Sequence, residues 1–141
     1  MPSVIHCHDH HCGLIPFFLT QVNQFRSRLH TIPTVFTVHN AQYQGAFAWD
    51  KHALLPPYDP WKWNILDWHG QINPLAAAVK SAWRVTTVSH SYLKELMTQA
   101  GGLENLFEYE KGKCVGILNG IDTEIWDPSC DPYLLFHYNK D

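Results

Sequence analysis

Apolar residues recur along this chain in two rhythms. Val4–His8, Thr34–Val38, Arg84–Val88 and Cys114–Leu118 are short runs made mostly of apolar and β-branched residues. They predict buried strands. After the first run, Leu14, Phe18, Val22, Phe25 and Leu29 recur at spacings of four and three, which places them on one helix face. Pro16 is tolerated there because it falls in the first turn. Asn73 as N-cap and Pro74 at the first helical position open an Ala-rich helix toward Trp83. Ser89 or Ser91 caps the next helix, which runs to about Ala100 and stops at Gly101-Gly102. Leu103–Tyr109 reads as a further short helix. Residues 41–72 break the rhythm with Pro56-Pro57, Pro60, Gly45 and Gly70. They read as a long irregular excursion with one helical turn near Asp50–Leu55, and long ordered loops are usually functional. Beyond Trp126-Asp127-Pro128 the chain reads as a linker or the start of a new helix.

Strands alternating with helices predict an α/β fold, a parallel sheet covered by helices on both faces and joined by right-handed crossovers. In such sheets ligands bind outside the carboxyl ends of the strands. Those ends carry His8-Asp9, His39-Asn40, Ser89-His90 and Asn119-Gly120, so polar residues collect where chemistry is expected.

Composition narrows the function classes. With 141 residues, 45% hydrophobic and 16% charged, the composition is globular. A formal net charge of −3 and a sequence pI near 6.3 give no basic footprint, so no nucleic-acid partner is expected. The apolar stretch Gly13–Leu19 is too short for a membrane span, and no signal peptide is expected at the start. Cys7, Cys12, Cys114 and Cys130 form no CxxC pair and read as free thiols in a reducing compartment.

The histidines and tryptophans are the unusual features. Ten His are present, four of them at positions 6, 8, 10 and 11, and four of the six Trp lie between Trp49 and Trp68. His6 to Cys12 has the ligand types of a zinc site. Alternate strand residues share a face that must pack, however, and no second ligand cluster exists, so no metal is expected. His6 then reads as a core residue. Asp9 reads as a base, a sugar-hydroxyl acceptor or a helix cap, with the cap favoured. His39 reads as a ligand contact or a structural imidazole, and Asn119-Gly120 as a site or a turn. Trp61, Trp63 and Trp68 either stack on sugar or, as the favoured reading, fold the loop onto the sheet. No GxGxxG, GxxxxGK[ST] or GxSxG motif is present.

The order of motifs also carries a resemblance. Val4–Asp9 with Gly13-Leu14 resembles the HDWH-x-GL segment of bacterial glycogen synthases and plant starch synthases. Phe36–Gly45 resembles that family's FT(I/V)HN-x-x-YQG, and Trp83–Ser89 its strand ending T-T-V-S. Gly116–Pro128 resembles G-I-L-N-G-I-D-x-x-x-W-x-P. The resemblance implies a Rossmann-like parallel sheet forming part of the N-terminal domain of a GT-B, two-domain, retaining glucosyltransferase. Residues 1–127 would belong to that acceptor-side domain and residues 128–141 to the connection toward a second one.

By resemblance, the activity is transfer of glucose from ADP-glucose to an α-1,4-glucan, with no cofactor and no metal. His39 would contact the donor glucose and Asp9 would line the cleft beside the reacting sugar. Asn119 would hydrogen-bond the same sugar, while Asn40, Tyr43, Gln44 and Gly45 shape the adjoining loop. His10 stands where the family usually has Trp, Cys12 where it has Thr or Ala, and Ser89-His90-Ser91-Tyr92 replaces its SPSY. The family's Lys-x-Gly-Gly-Leu loop and second domain are expected outside these residues, so the chain alone is expected to be inactive. It is also expected to self-associate through an unpaired sheet edge. The bacterial cytoplasm is the expected compartment, or a plastid for a plant or algal source. The competing reading is a non-catalytic glucan-binding module that uses the Trp-rich loop.

Overall fold

The computed structural model of the protein describes residues 1–140. Four parallel strands form the main sheet: β1 (Ile5–His8), β2 (Thr34–Val38), β5 (Arg84–Thr87) and β6 (Cys114–Gly116), in the order β1-β2-β5-β6. The predicted strands are all present, and those starting at Arg84 and Cys114 end one to two residues early. Register pairs Cys7 with Phe36 and Phe36 with Val85. Across all three strands, therefore, the same side chains point to the same side.

The first predicted helix is two. α1 (Ile15–Gln21) and α2 (Asn23–Leu29) are separated by Val22, which is extended at φ −93° and ψ 116°. A β-branched side chain is stiff in a helix, and Val22 instead turns inward and is 1% exposed. Residues 41–72 are more ordered than expected. They contain 3₁₀ turns at Trp49–Leu54 and Pro60–Lys62, a single-turn α3 (Trp63–Leu66), and a small antiparallel ribbon of β3 (Asp67–Trp68) and β4 (Gln71–Ile72). α4 (Pro74–Ser81) begins as predicted, with the Asn73 side chain accepting from the Ala76 amide. Ser89 is the cap of α5 (His90–Leu96), accepting from the Tyr92 amide. Gly101 and Gly102, both at positive φ, separate α5 from α6 (Glu104–Glu110). Residues 117–140 hold turns but no helix or strand.

One face of the sheet holds the core. Cys7, Phe36, Val38 and Val85 pack against Leu75, Ala76 and Val79 of α4, Leu96 of α5, and Leu106 and Phe107 of α6. A second apolar cluster joins Phe17 of α1 to Leu66, Ile72 and Ala77, with Trp49 and Tyr58 against it. The other face breaks the expectation of helices on both sides. Its residues are His6, His8, Val35, Thr37, Arg84, Thr86 and Val115, and none of them enters either cluster. His6 is accordingly exposed and not a core residue. Along β1, with no strand on its outer side among the described residues, the chain has an unpaired edge.

Among the described residues no helix is long and apolar enough to cross a membrane. All four cysteines are unpaired. Cys114 donates its thiol to the Glu110 carbonyl, and burial pushes its pKa up to about 11.

Candidate functional site

The sheet topology brings the carboxyl ends of β1 and β2 side by side, and with them Asp9 and His39. Asp9 takes φ 52° and ψ −179°, a conformation that L-residues rarely adopt. The strain turns its carboxylate across to β2, where Oδ1 accepts the backbone N–H of His39 at 2.8 Å. Asp9 makes no side-chain cap to the 3₁₀ turn at His10–Cys12, so the capping role favoured from sequence is replaced by a bridge between strand ends. His8 Nδ1 lies 3.0 Å from His39 Nε2. One strand end thus holds His39 at both its backbone and its ring.

The loop after His39 is tied from several directions. The Asn40 side chain accepts from the Gln42 amide, closing a local turn. The Tyr92 hydroxyl accepts from the Ala41 amide at 3.0 Å, so α5 fixes the loop directly behind His39. Gln44 donates its amide to the carbonyls of Ala41, Ala100 and Gly101, while its own oxygen accepts from Asn73 at 2.7 Å. Because Asn73 caps α4, Gln44 locks the loop to that helix start. Gly45 sits at φ 69°, and a Cβ there would lie 2.6 Å from His10 Cδ2, so the position requires glycine twice over. Tyr43 is 66% exposed, beside this clasp and not part of it.

A polar line leads to these residues along the uncovered face. Thr86 Oγ1 and Thr37 Oγ1 are 2.6 Å apart, and Thr37 Oγ1 is 2.6 Å from His6 Nε2. His6 stacks on His8 with ring centroids 4.2 Å apart. Partial desolvation first, and then the neighbouring His8 and His39, lower the pKa of His6 below the ordinary imidazole value. His10 packs over Gly45 and stacks on His11, with its Nδ1 buried and without a partner.

Of the residues singled out from sequence, Asp9, His39, Asn40, Gln44 and Gly45 therefore come together, with the Tyr43 side chain exposed beside them. Asn119 lies three residues beyond β6 in an exposed segment. Thr37, Thr86 and Tyr92 were missed. The two threonines look like ordinary strand residues, and a Tyr in a helix carries no signal of a cross-chain hydrogen bond. The Trp cluster divides. Trp49 donates to Asp67 and Trp68 to the Gly102 carbonyl, both structural ties. Trp61 is 86% exposed and Trp63 52%, so these two do not fold onto the sheet as expected. Trp63, Tyr58, Leu55 and Pro57 line a pocket of about 450 Å³. A larger cleft of about 620 Å³ lies at the opposite ends of the strands, lined by Thr34, Arg84 and Lys113 among others. Among the described residues no three His, Cys, Asp or Glu side chains form a metal-holding group.

Known proteins match this arrangement throughout its length. A family model described as starch synthase catalytic domain matches residues 1–109. Glycogen synthase of Flavobacterium johnsoniae is 48% identical over 139 residues, covering 99% of this chain and 29% of that protein. Glycogen synthase of Streptococcus mutans is 40% identical, covering 100% of this chain and 30% of that protein. The catalytic domain of Starch Synthase IV from Arabidopsis thaliana, solved bound to ADP and acarbose, superimposes with a TM-score of 0.74 at 30% identity. It is covered to 29% by 98% of this chain. The chain thus spans about three tenths of the length of the relatives it matches.

Proposed function

This chain belongs to the starch synthase catalytic-domain family, and from that premise we propose that it is part of a glucosyltransferase that extends α-1,4-glucan from ADP-glucose with retention. Residues 1–127 form part of the acceptor-side Rossmann-like domain of a GT-B enzyme, and residues 128–141 lead toward its partner domain. His39 contacts the donor glucose, and Asp9 lines the cleft and holds the His39 backbone in place. Asn119 bonds the same sugar, and Asn40, Tyr43, Gln44 and Gly45 set the wall beside it. The observation that carries this reading is the 2.8 Å bond from the His39 amide to the strained Asp9 at the joined ends of β1 and β2. Strain kept at a strand end is the mark of a site and not of a core.

The 141 residues alone are expected to transfer no glucose. Stabilising the departing diphosphate is a large share of such catalysis, and by resemblance the cationic groups for it lie in the second domain. The decisive experiment therefore places residues 1–127 in the matching segment of the Flavobacterium johnsoniae enzyme. Glucose incorporation from ADP-glucose into glycogen is expected, and His39→Ala should cut it by about 10² or more. A folded chimera without transfer would overturn the assignment. The compartment proposed is the bacterial cytoplasm, with a plastid for a photosynthetic host. Self-association is proposed along the unpaired edge of β1, checked by sedimentation.

Exposure of Trp61 and Trp63 beside the 450 Å³ pocket favours a second reading, a glucan contact on the Trp-rich loop. Titration with maltooligosaccharide should then quench tryptophan fluorescence in the wild type but not in Trp61→Ala. An unchanged spectrum in the wild type removes that reading.

A further inference from the structure

One side chain touches the His39 ring directly. His8 shares the uncovered face of β1 with His6, and the three imidazoles form a stack. Ring centroids are 4.2 Å apart for His6 and His8, and 5.3 Å for His8 and His39. The interplanar angles, 33° and 32°, are nearly the same. The base of the stack is anchored across three strands by the His6–Thr37–Thr86 bonds, with both threonines only 9% exposed. Its far end is anchored by the His39 amide on Asp9.

We propose that His8 is a positioning residue that fixes both the ring orientation and the proton position of His39 through the contact between His8 Nδ1 and His39 Nε2. A ring nitrogen donates when it carries a proton and accepts when it does not. At 3.0 Å the two facing nitrogens need one proton between them. For neutral rings this leaves two arrangements. Either both rings carry the proton on Nδ1 and His8 donates, or both carry it on Nε2 and His39 donates. Mixed arrangements set two protons or two lone pairs against each other. The tautomer of His39 is thus tied to that of His8. So is the character of His39 Nδ1, which faces a ligand as a donor in the first arrangement and as an acceptor in the second.

The consequence for sugar transfer rests on reading His39 as the donor contact, whereas the coupling itself does not. The test is ring ¹⁵N spectroscopy of the 141-residue chain labelled at histidine, near pH 8 where an ordinary imidazole is neutral. Wild type is expected to show one tautomer at His8 and at His39, with the same nitrogen protonated in both. His8→Leu should release His39 to a mixture of tautomers. His8→Asp, whose carboxylate reaches the place of Nδ1 and can only accept there, should hold the His39 proton on Nε2. Opposite tautomers in the wild type overturn the proposal, as does an unaltered His39 signal in folded His8→Leu. Should His8→Leu fail to fold, the wild-type pattern and His8→Asp decide alone: opposite tautomers in the wild type, or a His39 without its proton on Nε2 in His8→Asp, overturn the proposal. In the active chimera, His8→Leu should lower kcat about tenfold with little change in KM for ADP-glucose. An unchanged kcat removes the role in transfer. A chimera without any activity counts against the functional assignment, while the spectra still judge the coupling.

Discussion

The two faces of the β1-β2-β5 sheet are built from alternate residues of the same strands, yet they do opposite work. On one face Cys7, Phe36, Val38 and Val85 are at most 2% exposed and meet helices. On the other, His6, His8, Thr37 and Thr86 meet each other through hydrogen bonds and ring stacking. Strand period two makes this division automatic. Stability is concentrated on the first face and the candidate chemistry on the second. Asp9 and His39 sit where the polar face reaches the strand ends.

The sharpest way to break this division is to damage the core face. Phe36→Ala removes a fully buried ring between β1, β5 and the helices. It should cost about 3–5 kcal/mol in urea unfolding. A loss below about 1 kcal/mol would mean that this face does not carry the fold. On the polar face, Thr37→Val keeps the shape but removes the oxygen shared by His6 and Thr86. The expected cost is about 1–3 kcal/mol, because the buried Thr86 hydroxyl loses its partner. Adding Thr86→Val should recover part of that loss, since both halves of the bond are then gone. A double variant as poor as the sum would show that the threonines act separately.

The core face was largely legible in the sequence and the polar face was not. Apolar and β-branched runs announce strands because burial demands them, and the Asn73-Pro74 and Ser89 caps were readable because helix starts have a fixed chemistry. The strand-end address of Asp9 and His39 followed from topology alone. What no pattern could give was the partner of each polar group. Asp9 passes over the adjacent turn to bond an amide 30 residues away. Gln44 reaches the carbonyls at Ala100 and Gly101. Such contacts depend on register between strands distant in sequence. The assumption of two covered faces failed for a related reason. β1 to β6 and their connecting helices supply apolar partners for one face, and the alternate positions on the other, His and Thr with Val35, Arg84 and Val115, enter neither apolar cluster.

A subtler probe of the polar face is acidity. Partial desolvation and the neighbouring histidines lower the pKa of His6 in the folded chain. The unfolded chain therefore binds the proton more readily, and the stabilisation is complete above the unfolded value of about 6.5. It is lost as pH falls from there toward the lowered folded value, and changes no further below it. Melting temperature measured from about pH 8 to pH 5 should decline in wild type. His6→Gln should remove part of that decline, leaving what other groups contribute. An identical pH profile in His6→Gln would mean that the imidazole stack carries no linkage to folding.

The smallest expected effect marks where the polar face ends. His10 follows the strained Asp9, and its ring covers Gly45 so closely that no other residue fits there. Its Nδ1 is buried without a partner, an arrangement that costs free energy in proportion to the lost solvation. The family that this chain resembles usually has an aromatic Trp at the position. His10→Phe keeps a flat ring over Gly45 and removes the orphaned nitrogen, so melting temperature should rise by a few degrees, equivalent to about 1 kcal/mol. If melting temperature falls instead, the nitrogen has a bonding partner in solution and the polar network runs from Thr86 through His6 and His8 as far as the Gly45 loop. If it rises, the network stops at Asp9. His10 then belongs with Phe36, as a ring whose work is to fill space.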